Sequence, residues 1–246
     1  MSDPRTKGVS FAESLRRLQT AQKSSRGAPL YSVVVNRPLG RVLAAGAHQL
    51  GLTPNHVTLI SAVFTFAGIA ALAALPPGAL AAIVVTVALV LGYALDAADG
   101  QLARLRGGGS LQGEWLDHCI DSVKVATLHL AVLVMAFRYF PVGRWWLIVP
   151  LLFTAVYVVH FFGFLLTDLL TRVRTAQTGT PATVSESSRL MSAVKLPTDY
   201  GLFCCSFVLL FAPTVFVVVY TLFAAAMLGY TALVLPRWYA RLGRLA

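Results

Sequence analysis

Four aspartates stand close together within strongly apolar sequence, although the 246-residue chain holds only ten acidic residues in all. Asp96 and Asp99 are three positions apart, and Asp117 and Asp121 are four apart, so each pair shares one face of a helix. An ionised carboxylate within a membrane helix is costly unless a cation or hydrogen bonds compensate it. Carboxylate oxygens are the ligands that hard divalent cations prefer, so this pattern predicts a site for Mg²⁺ or Mn²⁺, with two ions expected.

The composition shows which elements must position these aspartates. Hydrophobic residues make up 57% of the chain and charged residues 12%, whereas soluble domains carry about 25% charged residues. Three cysteines without CxxC spacing indicate small buried hydrophobes rather than a disulfide or zinc framework. The apolar runs predict an all-α membrane protein with six transmembrane helices, at about 54–75, 79–102, 111–137, 145–170, and two within 201–235 separated at Ala212-Pro213.

An amphipathic helix is predicted ahead of the first span, at residues 10–23. Ser10 has capping-box spacing to Glu13, and Phe11, Leu15 and Leu18 share one face. A juxtamembrane helix lying on the membrane surface and a solvated helix both fit this pattern. The predicted organisation is an N-terminal juxtamembrane segment (1–50), a six-helix catalytic domain (51–236) and a basic tail (237–246).

The net charge of +10 is placed in the way that membrane proteins mark their inner side. With the N-terminus inside, inner segments hold eight Lys and Arg before the first span, two at 104–106, four at 172–195 and three at 237–244. The outer loops hold only Arg138 and Arg144. This asymmetry predicts a multi-pass protein of the cell membrane with cytoplasmic termini, and it argues against nucleic acid as the partner.

Both aspartate pairs are predicted to lie at the same depth near the cytoplasmic side. Asp96 lies eight residues before Arg104, and Asp121 lies eight residues after Gly113. At about 1.5 Å of rise per residue, each pair falls within roughly 12 Å of the inner interface. We therefore expect the active site on the cytoplasmic side, with Arg104 available to donate to a phosphate.

The string Asp-x2-Asp-Gly-x2-Ala-Arg-x8-Gly-x3-Asp-x3-Asp, which begins at Asp96, resembles the signature of the CDP-alcohol phosphotransferase family. The resemblance implies that Asp96, Asp99 and Asp117 are metal ligands. It implies that Asp121 is the base for the acceptor hydroxyl, and leaves open whether it is also a ligand. It further implies a homodimer and a CDP-alcohol site formed by Asp99, Gly100, Ala103, Arg104 and Gly113.

Neighbouring residues are given smaller roles. His118 is expected to pack away from the aspartate face, and Glu114 is expected to face the interface. Asn55 and Thr58 are expected mainly to cap the first span, with a supporting role near the nucleotide left open. The glycines at 107–109 predict a flexible turn.

The acceptor is the least determined part of the site. Arg172, Arg174, Arg189 and Lys195 could bind an acceptor phosphate, or they could be ordinary positive-inside charges. Phosphatidylinositol phosphate synthases typically carry an acidic–arginine pair before the fifth helix, whereas this chain reads Lys-Leu-Pro-Thr-Asp-Tyr-Gly at 195–201.

Three functions are compared. The leading one is an integral membrane enzyme of phospholipid biosynthesis. It would transfer a phosphatidyl group from CDP-diacylglycerol to an acceptor hydroxyl and release CMP. The same chemistry with a soluble CDP-polyol donor is the second. A cation- or proton-coupled transporter is the third, but transporters usually show internal repeats with broken helices. Here the acids lie on two consecutive helices, which favours the enzyme.

Overall fold

The computed structural model describes residues 10–20, 29–179 and 199–245, and all regular secondary structure within them is helical. The chain also has a π-helical segment at Ser32–Asn36 and two 3₁₀ segments, at Arg144–Leu147 and Phe207–Phe211. The α-helices are α1 (Phe11–Thr20), α2 (Arg37–Gln49), α3 (Pro54–Ala74), α4 (Ala79–Leu105), α5 (Leu111–Tyr139), α6 (Ile148–Thr178), α7 (Tyr200–Ser206) and α8 (Pro213–Gly243). This confirms the predicted all-α class.

Five helices of the described chain are long and apolar enough to cross a membrane: α3, α4, α5, α6 together with its 3₁₀ segment, and α8. The predicted break is confirmed, because α8 begins at Pro213. Before it, the apolar helical stretch Tyr200–Phe211 is shorter than the roughly 20 residues that a crossing needs. Residues 180–198 lie outside the described part, so the count of six spans stays a prediction.

A helix begins at the predicted residue where the sequence supplies a capping side chain. The Thr53 hydroxyl accepts a hydrogen bond from the His56 backbone N–H at 3.2 Å, and Pro54 opens α3. The end of the fourth span was predicted wrongly, because α6 runs on to Thr178 rather than ending near Leu170. Loss of hydrophobicity marks where a helix can leave the membrane, and a polar helix can continue beyond that point.

The apolar face of α1 packs largely on protein rather than on a membrane surface. Leu18 is only 1% exposed and contacts a cluster that includes Ala44 of α2 and Leu102 of α4. Phe11, on the same predicted face, stays 43% exposed. The amphipathic pattern thus predicted the helix correctly, and its apolar face packs on α2 and α4.

Asp199, the first residue of the last described segment, has a structural role. It is fully buried, and its carboxylate accepts hydrogen bonds from the backbone N–H groups of Tyr31 at 2.8 Å and Gly201 at 3.1 Å. Burial raises the pKa of Asp199, and these two donors act in the opposite direction. The carboxylate therefore caps α7 and ties it to the segment that leads into α2.

Close contact between α3 and α4 depends on Gly92. The Ser61 hydroxyl donates to the Gly92 carbonyl at 2.8 Å, and a Cβ at Gly92 would lie 3.1 Å from the Thr65 backbone nitrogen. We expect Gly92→Ala to lower the free energy of unfolding of the detergent-solubilised protein by about 1–3 kcal/mol, because the two backbones must separate. The melting temperature should fall with it. Gly229→Ala is the control, because no packing neighbour among the described residues lies within 4 Å of its added Cβ. Equal melting temperatures for both variants would contradict this account of the packing.

Candidate metal and nucleotide site

Three of the four predicted aspartates converge between α4 and α5. One carboxylate oxygen from each of Asp96, Asp99 and Asp117 lies within 4.8 Å of the other two. A short connection joins the two helices, and both pack against α3, so the end of α4 and the beginning of α5 meet beside the start of α3. The donor set fits a hard divalent cation, because it consists of carboxylate oxygens alone.

Asp99 is held in place by a residue of the first span. Its side chain is 8% exposed, and its Oδ2 accepts a hydrogen bond from the Thr58 hydroxyl at 2.6 Å. The Thr58 hydroxyl also lies 3.0 Å from the Pro54 carbonyl, which is the helical contact expected from its position near the start of α3. Thr58 therefore orients the carboxylate of Asp99, in addition to its local role within α3.

Asp121 belongs to a second group, which shares Asp117 with the first. One ligand atom from each of Asp117, His118 and Asp121 lies within 4.8 Å of the other two. The expected contact away from the aspartates is present, because His118 Nε2 lies 3.8 Å from Glu114 Oε1, but a ring nitrogen is also close to the two aspartates. Successive helical residues are about 100° apart around the axis, but an imidazole ring is long enough to turn back toward the adjacent face.

Lys124 is a residue of the site that the sequence analysis left without a role. It is 9% exposed, forms an ion pair with Asp121, and places its Nζ 3.8 Å from Asp96 Oδ1. The ammonium group also lies 5.2 Å from the centre of the Tyr200 ring. Lys124 thus bridges the carboxylates of α4 and α5 and compensates part of their charge within the bundle.

An open cavity of about 960 Å³ is lined by Asp99 and Asp117, whereas Asp96 and Asp121 lie behind its lining residues. Its lining includes all five residues predicted to bind the CDP-alcohol: Asp99, Gly100, Ala103, Arg104 and Gly113. Asp117, His118 and Thr58 line it as well. The carboxylates of both helices, an arginine and small residues therefore face one space large enough for a nucleotide.

The glycines leave space or allow close approach at this cavity. A Cβ on Gly100 would find its nearest neighbour, Arg104 Nη1, at 3.6 Å, so this wall is open. A Cβ on Gly113 would lie 2.9 Å from Asn55 Oδ1, so Gly113 lets α5 begin against α3. Positive φ angles at Gly107 and Gly108 confirm the predicted turn.

The predicted acceptor residues separate in the structure. Arg172 lines the cavity, and its guanidinium lies 2.7 Å from both Glu114 Oε1 and Asp168 Oδ2. Glu114 also lines this cavity, and its placement at the membrane interface stays a prediction. Arg174 points elsewhere, since its Nε donates to the Leu245 carbonyl at 2.6 Å. Arg189 and Lys195 lie outside the described residues.

The family is decided by the sequence match over the helical bundle. Residues 51–238 match the family described as CDP-alcohol phosphatidyltransferase. The chain belongs to this family. The match covers α3 to α6, α7 and most of α8, so it includes every aspartate of the two groups.

One solved structure shares the fold of this CDP-alcohol phosphatidyltransferase family member, and a second is similar to it. Phosphatidylinositol phosphate synthase (PgsA1) of Mycobacterium tuberculosis, in complex with manganese and citrate, is 19% identical, with a TM-score of 0.51 over 85% of this chain and 88% of that chain. The same enzyme with CDP-DAG bound is 22% identical, with a TM-score of 0.47 over 80% and 90%. No curated protein sequence matches the chain.

Proposed function

We propose that this protein is a metal-dependent membrane transferase that moves a phosphatidyl group from CDP-diacylglycerol to an acceptor hydroxyl and releases CMP, in phospholipid biosynthesis. The observation that carries the proposal is the convergence of Asp96, Asp99 and Asp117 beneath a cavity lined by Arg104 and small residues. Family membership supports the same chemistry. It also argues against the alternative function of a cation- or proton-coupled transporter.

The two groups of possible ligand atoms are consistent with sites for two divalent ions, and Asp117 belongs to both groups. Asp96 and Asp99 would complete the first site, and Asp121 would contribute to the second if it is a ligand as well as a base. Mg²⁺ or Mn²⁺ bound there would supply Lewis-acid stabilisation of the charge on the diphosphate. The oxygen-rich donor set suits either cation.

The chain's own residues bind and orient the reactants. Arg104 would donate to the diphosphate, and the open wall at Gly100 would admit the nucleotide beside α4. Asp121 would accept the proton of the acceptor hydroxyl. The acceptor oxygen then forms a bond to the phosphatidyl phosphorus, while the bond from that phosphorus to the bridging oxygen of CMP breaks. Lys124, beside Asp121, would hold this carboxylate in position.

The orientation in the membrane is proposed from charge. The inner segments hold most of the lysines and arginines, so the termini and the cavity would face the cytoplasm of a cell whose inner or plasma membrane holds the protein. A homodimer is proposed on family resemblance. The exposed apolar surface of α6 is compatible with a homodimer. Within one chain, only 11% of the most apolar stretch of Arg144–Thr178 is buried.

Product analysis tests the proposed function. Purified protein in lipid nanodiscs would receive labelled CDP-diacylglycerol or a labelled soluble CDP-polyol, each with a panel of alcohol and phospho-alcohol acceptors. We expect CMP and a labelled phospholipid from CDP-diacylglycerol, loss of both in EDTA, and recovery with Mg²⁺ or Mn²⁺. Product from the CDP-polyol alone would favour the second reading, and full turnover without divalent metal would overturn the mechanism.

The acceptor prediction is tested by comparing two arginines of α6. An acceptor phosphate would take the place of Glu114 on the Arg172 guanidinium, while Asp168 keeps its pairing. We expect Arg172→Gln to raise the acceptor KM about tenfold, because a charge-assisted hydrogen bond of about 1.5–3 kcal/mol is lost. The donor KM should change little.

Arg174→Gln is the matched control, since Arg174 is bound to the Leu245 carbonyl instead of lining the cavity. Both KM values would be measured on correctly inserted protein. An unchanged acceptor KM in Arg172→Gln would show that the acceptor is uncharged or bound elsewhere, and that Arg172 only joins α5 to α6. Roles for Arg189 and Lys195 at the acceptor remain predictions.

A further inference from the structure

His118 brings a nitrogen atom to a group of carboxylates. One of its ring nitrogens lies within 4.8 Å of a carboxylate oxygen of Asp117 and of a carboxylate oxygen of Asp121. The side chain of His118 also lines the open cavity. The first group, formed by Asp96, Asp99 and Asp117, contains oxygen atoms alone. The two groups of possible ligand atoms therefore differ in their chemistry.

The two nitrogens of the His118 ring have different surroundings. Nε2 lies 3.8 Å from Glu114 Oε1, whereas Nδ1 is buried and has no hydrogen-bond partner among the described residues. A carboxylate beside one ring nitrogen favours the tautomer with the proton on that nitrogen, and the lone pair is then on the other. Glu114 thus favours an unprotonated Nδ1, which is the form in which an imidazole binds a metal ion.

The second group also differs in the negative charge that it offers to a cation. Lys124 forms an ion pair with Asp121 and compensates part of the charge there. Mg²⁺ favours oxygen ligands, whereas affinity for a site that includes an imidazole nitrogen rises from Mn²⁺ to the later transition metals. We propose that His118 is a nitrogen ligand of the second ion and makes that site select Mn²⁺, or a later transition-metal ion, over Mg²⁺. This inference rests on the proposed function.

The two groups should therefore fill differently in a mixture of metals. The all-oxygen group accepts Mg²⁺, so Mg²⁺ in excess should occupy it. Substoichiometric Mn²⁺ should then collect in the group that contains His118. One Mn²⁺ per protein at this place is a spectroscopic probe of its ligands.

Pulsed EPR tests the nitrogen ligand directly. Purified protein in lipid nanodiscs is saturated with Mg²⁺ and then given substoichiometric Mn²⁺. We expect the Mn²⁺ spectrum of the wild type to show the ¹⁴N hyperfine coupling of an imidazole, and the spectrum of His118→Gln to lack it. His48→Gln is the matched control and should keep the coupling, because His48 lies on α2 and is not among the residues that line the cavity.

Competition between the two metals measures the selectivity. The Mg²⁺ concentration that displaces half of the bound Mn²⁺ should fall about tenfold or more in His118→Gln, since loss of a residue that merely orients a metal ligand already costs 10–100-fold in affinity. Wild-type protein labelled with ¹⁵N-histidine is a test that needs no substitution at the site. Its spectrum should show ¹⁵N coupling in place of ¹⁴N coupling, and an unchanged spectrum would overturn the inference.

The outcomes separate this inference from the proposed function. A coupling that disappears in His118→Gln, in protein that does not turn over CDP-diacylglycerol, would keep the nitrogen ligand and overturn the proposed transfer. Turnover of CDP-diacylglycerol by protein whose Mn²⁺ spectrum has no nitrogen coupling would do the reverse. A coupling that persists in His118→Gln, or an unchanged competition between Mn²⁺ and Mg²⁺ in that variant, would also overturn the role of His118.

Discussion

Asp99→Asn is expected to reduce kcat/KM for transfer by at least about a thousandfold, because a ligand that stabilises charge on the diphosphate contributes several kcal/mol. The substitution is conservative for the fold. The amide oxygen of asparagine can still accept the hydrogen bond from Thr58, which lies 2.6 Å from the present carboxylate. It is nevertheless a poorer ligand for a hard cation than a carboxylate oxygen.

The loss should be accompanied by weaker metal dependence of nucleotide binding. Titration of CMP at several Mg²⁺ concentrations, together with steady-state transfer rates, measures both effects on the same preparation. Glu13→Gln is the control for exchanging a carboxylate for an amide, because Glu13 lies on α1 and pairs there with Arg16 and Arg17. Near-normal turnover and unchanged Mg²⁺ dependence in Asp99→Asn would show that the three converging aspartates do not form the metal site.

The placement of these aspartates could be predicted because it depends on short-range geometry. Residues three or four apart share a helical face, so each pair could be assigned from spacing alone. The short turn at 106–110 then keeps the end of α4 close to the beginning of α5, and both helices pack against α3. The spacing and the turn therefore predict that Asp117 lies near Asp96 and Asp99, while packing of both helices on α3 fixes the distance.

The residues that sequence reasoning missed are those whose partners lie on other helices or whose side chains reach around their own. Lys124 follows Asp121 by three positions, a helical spacing that could have indicated the ion pair. Its approach to Asp96 depends on how deeply α4 and α5 overlap, which spacing does not specify. Thr58 is similar, because its contact with Asp99 requires the packing of α3 on α4.

The ends of the helices likewise divide into those that local sequence determines and those that it does not. The start of α3 was predictable, since Thr53 and Pro54 are a local capping signal. The end of α6 was not, because Arg172 pairs with Asp168 four residues earlier and the helix continues beyond the apolar run. The burial of Leu18 likewise depends on α2 and α4, whereas an amphipathic pattern alone does not distinguish a protein partner from a membrane surface.

Asp121→Asn is expected to separate proton transfer from binding. Removing a general base lowers the transfer rate by about 10²–10⁴-fold. Donor binding should be nearly unchanged, since Asp96, Asp99 and Asp117 remain together without Asp121. The measurements are single-turnover transfer and Mg²⁺-dependent CMP binding, with Asp99→Asn tested in parallel.

Lys124 makes the interpretation of Asp121→Asn depend on a second variant. Once Asp121 is neutral, the ammonium group is left with Asp96, whose Oδ1 lies 3.8 Å away, and it could compete with a cation for that carboxylate. Asp121→Asn combined with Lys124→Gln removes this competition. If Asp121 is the base, the double variant keeps the low transfer rate and binds CMP as the wild type does. If both variants lose CMP binding as severely as Asp99→Asn does, Asp121 is a metal ligand, and the proton of the acceptor must leave by another group.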